Sequence, residues 1–193
     1  MSLLLTAFTG LALAAAPPPY PATLVGALSV TGGPDSLGSI GTGRALIHFA
    51  PVSLDLAGGE GYLGLSPRHV GSVFVGARRY LPVGLYARGG FYHQHETDWQ
   101  RFLSDPGPIL AGVGDGINHR SGLQIAFGYE YAWARIIPDG FYGRLRSGVE
   151  LSVAIMPDQR GPWIYASLDF TNGIDVGRRR DTASSSSPSS PAP

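Results

Sequence analysis

From about Thr23 to Phe170 the chain alternates apolar residues with polar or small ones at a period of two, the repeat of strands and not of helices. In residues 123–133, LQIAFGYEYAW, one face carries Leu123, Ile125, Phe127, Tyr129, Tyr131 and Trp133, and the other Gln124, Ala126, Gly128, Glu130 and Ala132. Residues 144–155 set Leu145, Val149, Leu151, Val153 and Ile155 against Arg144, Arg146, Gly148, Glu150 and Ser152. Residues 83–92 and the closing WIYASLDF repeat the scheme. The polar faces consist of Gly, Ala and Ser with a few charges, while the apolar faces end in aromatics. A soluble barrel would bury its apolar face and spread charge outside. Small inward residues with opposed charges, and an apolar exterior bordered by Tyr and Trp, predict a barrel that crosses a membrane.

The strands so read are 22–31, 42–50, 52–58, 69–80, 83–95, 119–134, 142–156 and 162–170. Short connections fall at Ala50-Pro51, Leu81-Pro82 and IIPDGF; longer ones fall at TGGPDSLGSIG, at GGEGYLGLSPR and between residues 95 and 118, and PDQRG is short. The expected fold is an all-β, eight-stranded antiparallel transmembrane up-and-down barrel with short periplasmic turns and one long external loop. An even strand number puts both ends of the chain on the periplasmic side, with Tyr80, Trp133, Phe141, Tyr142 and Phe170 at that interface.

Composition narrows the compartment and excludes several functions. The 193 residues balance 14 basic against 14 acidic side chains, which argues against a nucleic-acid partner. With no cysteine there is no disulfide, no thiolate metal site and no lipid-modified N-terminal cysteine. The apolar run Leu3–Ala15 followed by Ala14-x-Ala16 fits a signal peptide over residues 1–16, and no other stretch is long enough for a membrane-spanning helix. The expected division is that leader, a Pro-rich segment 17–21, a barrel over 22–170 and a disordered Ser/Pro-rich tail over 171–193.

The LQIAFGYEYAW strand, the strand carrying Arg144, Arg146 and Glu150, and the closing WIYASLDF resemble small outer-membrane barrels of the OmpA/OmpX-like kind. The resemblance implies residence in a bacterial outer membrane, surrounded by its lipid and lipopolysaccharide. It also implies insertion by the barrel-assembly machinery, with Phe170 as the terminal aromatic signal. The likeness is architectural and carries no activity.

Two groups of side chains carry chemistry. Arg44, His48, Asp55, Arg88, Glu130, Arg144, Arg146, Glu150 and Asp169 have inward parity. A barrel of eight strands is only wide enough for side chains to fill, so these residues are expected to form a paired network that closes the lumen. The second group is FYHQHETDW together with HRS at 119–121. His93 and His95 share outward parity with Phe91, and His119 and Ser121 share it with Leu123, on neighbouring strands.

Three readings of that rim stay open: an interfacial band of hydrogen bonds, a divalent metal held by His93, His95 and His119, and catalysis. For catalysis, His119-x-Ser121 resembles the His-x-Ser of PagL-like lipid A 3-O-deacylases. That likeness implies an acyl hydrolase of outer-leaflet lipid with Ser121 as nucleophile, His119 as base and a carboxylate on the next strand to orient the ring; Glu150 of that strand points inward, so Glu96 or Asp98 has to substitute. Trp99, Phe102, Leu103, Ile109 and Leu110 of the long loop are expected to cap the barrel. The function expected is structural or surface-interacting, without catalysis or cofactor. The alternatives are the acyl hydrolase and a soluble periplasmic barrel with an apolar ligand.

Overall fold

A computed structural model describes residues 17–33, 36–64, 68–157 and 162–179. Eight strands follow one another: β1 Ala22–Gly33, β2 Ser36–Phe49, β3 Val52–Leu63, β4 Arg68–Tyr80, β5 Leu85–Asp98, β6 Asn118–Ala132, β7 Leu145–Met156 and β8 Trp163–Val176. Each pairs antiparallel with its sequence neighbours, and β1 pairs with β8 to close the barrel. Closure leaves no sheet edge with unpaired backbone groups, the condition for strands to cross a membrane. Among the described residues no helix is long and apolar enough to cross one. The spans are strands.

The period-two pattern resolves as expected, with the apolar face outward. Leu28, Leu123, Phe127 and Leu151 are between 59% and 66% exposed on the outer wall, while Arg44, Asp55, Arg88 and Glu150 are buried inside. The lumen has two levels. Toward the end bearing the long loop, Ile40, Leu63, Val70, Phe74, Tyr92, Met156 and Tyr165 pack into an apolar plug. Toward the end bearing the chain termini the filling is charged. A soluble barrel with an apolar ligand in its interior does not fit this arrangement, because the apolar face looks out and side chains occupy the inside.

Several boundaries differ from the expectation, and glycine explains two of them. TGGPDSLGSIG and GGEGYLGLSPR look like loops, yet most of each is strand, so that only residues 34–35 and 64–67 connect β1–β2 and β3–β4. Gly38 and Gly61 lie where a Cβ would run into the carbonyls of Tyr62 and Ser39, so the composition that suggests a loop here admits close strand pairing. At the opposite end the β6–β7 connection takes residues 133–144 and contains two 3-10 turns, longer than IIPDGF alone.

β8 continues past Phe170 to Val176, because TNGIDV keeps the alternation, with Thr171 and Asp175 buried. The barrel therefore ends at 176 and not at 170. Phe170 pairs mid-strand with Leu28 and Val149 and is no terminal residue. Tyr80 also departs from the interfacial expectation: it points inward and is buried, while Trp133, Phe141 and Tyr142 are exposed at the end bearing the termini. The leader 1–16 and the tail from residue 180 lie outside the described residues.

Candidate functional site

Inside the barrel, Glu150 is the hub. Its carboxylate accepts from Arg88 Nε at 2.9 Å and Nη2 at 2.6 Å, and from Arg44 Nη1 and Nη2 at 3.2 Å each. Arg44 and Arg78 share Asp55 at 3.5 Å, and Arg78 reaches Glu130 at 3.4 Å. Arg146 joins Glu130 at 2.9 Å to Asp175 at 2.7 Å. Thr23 donates to Asp175 at 2.6 Å and contacts His48, whose other ring nitrogen meets Ser53 at 2.7 Å. At the mouth Glu96 holds both Arg68 and Arg120. Six arginines (44, 68, 78, 88, 120, 146) thus meet five carboxylates (55, 96, 130, 150, 175) along the lumen, and Asp169 is buried opposite Glu150 without an arginine ion pair among the described residues. A cavity of about 40 Å³, bordered by Ser29, Thr42, Arg44, Arg88 and Asp169, remains among them.

Of the residues assigned to this network from sequence, Arg144 does not belong. It sits in the 3-10 turn Tyr142–Arg144 before β7 begins, with its guanidinium 5.4 Å from the Tyr20 ring. Asp169 lies inside, in register with Glu150. Arg78 and Asp175 were missed. Arg78 is followed by Arg79, so charge alone does not say which of the pair turns inward; the shared parity with Phe74 and Tyr80 does. Asp175 lies past Phe170, where the sequence pattern predicts the end of the last strand, and β8 runs on to Val176.

On the outer wall near the long loop, β5 and β6 place His93 opposite Ser121 and His95 opposite His119. His93 Nδ1 lies 2.6 Å from Ser121 Oγ, and His93 Nε2 lies 2.7 Å from His95 Nε2. His119 closes the group: one nitrogen from each of the three rings falls within 4.8 Å of the others. The serine is therefore partnered by His93 and not by His119. Glu96 is one residue from His95, so strand alternation turns it into the lumen, where Arg68 and Arg120 take it. Asp98 caps the short helix α1, Trp99–Ser104, by accepting from Gln100 N and Arg101 N. Neither acid orients an outward imidazole.

A different carboxylate, Glu60, lines the cleft beside this group. Glu60 on β3 is opposite Gly71, Gly71 is opposite His95, and His95 is opposite His119, so one row crosses four strands. Gly71 has no side chain to stand between Glu60 and His95. Both line a cleft of about 450 Å³ with His69, His93, Ile109 and Leu110. The sequence signal for Glu60 is its outward parity on β3, hidden by the glycine-rich composition that predicts a loop there.

The long loop packs on the outer face of β4 and β5 instead of spanning the mouth. His69 stacks on Phe102 with centroids 3.7 Å apart, and Ile109 of α2, Pro106–Leu110, is buried. Gly112, at φ 68°, lies so close to the His95 ring that a Cβ would overlap it. Below the cleft an apolar groove of about 940 Å³ runs over Leu24, Gly26, Gly43, Leu56 and Val75, sharing Gly58 and Val73 with it.

The architecture has a solved counterpart. This is the fold of a small eight-stranded barrel. Neisserial surface protein A superposes with a TM-score of 0.52 at 10% identity, over 80% of this chain and 96% of that one. Ail, the attachment invasion locus protein of Yersinia pestis, matches at a TM-score of 0.45 and 10% identity, over 80% of this chain and 97% of that one. No protein-family model and no curated protein matches the sequence. At 10% identity the likeness shows the fold alone, and the histidine group rests on its own geometry.

Proposed function

We propose that the protein is an outer-membrane barrel of structural or surface-interaction type, with a closed lumen and its function carried on the outward surface. The observation that carries this reading is the Glu150 hub, which ties Arg44 and Arg88 across the interior and leaves a cavity of about 40 Å³. An open pore needs a continuous water column, and an eight-stranded barrel filled in this way has none. The apolar outer wall supports residence in lipid, and outer-membrane lipid is its immediate partner. Insertion by the barrel-assembly machinery fits the same architecture. Reconstituted in a planar bilayer, the folded protein should give no sustained ion steps. Stable steps that track the folded fraction would overturn the closed-lumen reading.

One observation favours a second reading, acyl hydrolysis of outer-leaflet lipid. Ser121 Oγ lies 2.6 Å from His93 Nδ1, and His95 lies behind that ring at 2.7 Å. In this reading Ser121 attacks an ester carbonyl while His93 takes its proton at Nδ1 and gives it to the alcohol oxygen that leaves as the acyl C–O bond breaks; water, deprotonated by the same ring, then releases the fatty acid from Ser121. His95 accepts from His93 Nε2–H in the position a carboxylate usually fills. The acyl chain would lie along the groove beside Gly58 and Val73. Mass spectra of lipid A and phospholipids from a host expressing the chain, beside Ser121→Ala, decide it. Loss of an acyl chain that needs Ser121 establishes an enzyme, and identical spectra from equally folded proteins leave the structural barrel.

A further inference from the structure

We propose that His93, His95 and His119 form a binding site for a divalent transition-metal ion of the zinc class on the outer rim of the barrel, a role separate from the closed lumen. Three features carry it.

The first is convergence. Two strands paired in register bring three imidazoles to one spot, with one nitrogen from each within 4.8 Å of the others. Zinc with nitrogen ligands at about 2.0–2.1 Å puts neighbouring donors roughly 3.3 Å apart. The His93–His95 pair at 2.7 Å is tighter than that and the widest separation is looser, so small ring rotations bring all three to bonding distance.

The second is orientation. Ser121 engages His93 Nδ1, which leaves Nε2 on the side facing His95. A metal-bound histidine usually has its other ring nitrogen held by a hydrogen-bonding group, and Ser121 supplies one here. Gly112 lies against the His95 ring and limits its swing. His119, by contrast, makes ring contacts with both neighbours, at 5.7 Å and 4.7 Å between centroids. It has no hydrogen bond among the described residues, so its nitrogens are available.

The third is the fourth position. His93 and His95 border an open cleft of about 450 Å³ from which a water can complete the set, while the Glu60 carboxylate lines that cleft outside the group of converging nitrogens. Three imidazoles and a water suit zinc, copper(II) or nickel(II), and the absence of cysteine removes any soft thiolate preference. An ion so held would link β5 to β6 beneath the long loop, whose Gly112 rests on one of the ligands.

The test uses full-length protein refolded in detergent and purified without a histidine tag, titrated with Co²⁺ as a zinc surrogate and followed by its visible absorption. The expected result is one ion per barrel with the intense bands of a four-coordinate site, displaced by Zn²⁺. His119→Ala, exposed and outside the barrel's packing, should weaken uptake at least tenfold while the folded band on an unheated gel is unchanged. Ser121→Ala should retain a measurable site of lower affinity. No four-coordinate spectrum in the folded wild-type protein overturns the proposal, and so does a spectrum that His119→Ala leaves intact.

Discussion

The lumen and the histidine rim are two polar groups on the same barrel wall, separated by one residue of alternation, and they are built in opposite ways. Glu96 and His95 are adjacent in sequence; one is clamped by two arginines inside, while the other faces its own kind outside. The interior answers every arginine with a carboxylate, because an unmatched charge in that confined space is too costly. The rim gathers three imidazoles, with a serine and a cleft beside them. A matched network of opposite charges is what closing the barrel requires. A convergence of three imidazoles is more than packing requires. His48 makes the same point: of five histidines it is the one inside, held by Thr23 and Ser53.

That contrast can be broken experimentally, beginning where the effect is largest. Glu150→Ala leaves Arg44 and Arg88 without their main partner and should cost about 3–5 kcal/mol. Urea titration of the gel-shifted folded band reads it, and a change below about 1 kcal/mol would mean that water replaces the network without penalty. Ile125→Arg puts a charge on the middle of the outer wall, where Ile125 is 54% exposed. In lipid it should cost about 2–4 kcal/mol, whereas on a water-facing wall a surface change of this kind stays within about 0.5 kcal/mol. Refolding yield into vesicles separates the two outcomes. The smallest effect belongs to the rim: His119→Ala should shift stability by no more than about 0.5 kcal/mol. A large loss of stability there would make the rim part of the barrel's packing and remove the contrast.

Much of the fold was legible because a strand repeats every two residues and a membrane reverses the usual order of inside and outside. Leu123 through Trp133 showed both facts at once. The lumen was legible for the same reason, since inward parity selected Arg44, Asp55, Arg88, Glu130, Glu150 and Asp169 from charge and position alone. Boundaries were not. Glycine-rich stretches look like loops whether or not their backbones pair, which hid Glu60. The polar TNGIDV looked like the start of a tail, although Asp175 inside it is clamped by Arg146 and Thr23.

The candidate site divided along the same line. That His93, His95, His119 and Ser121 share the outer wall follows from alternation. Which of them touch follows from register, a property of the paired strands. A shift by two residues would keep every side chain on its face and exchange every partner. Sequence spacing suggested His119 with Ser121, two apart on one strand; pairing across the ladder set His93 against Ser121 at 2.6 Å. Alternation, local and repeating, was settled by the amino-acid sequence by itself. Register, closure and the path of the long loop depend on contacts between distant segments, and only the tertiary structure decided them.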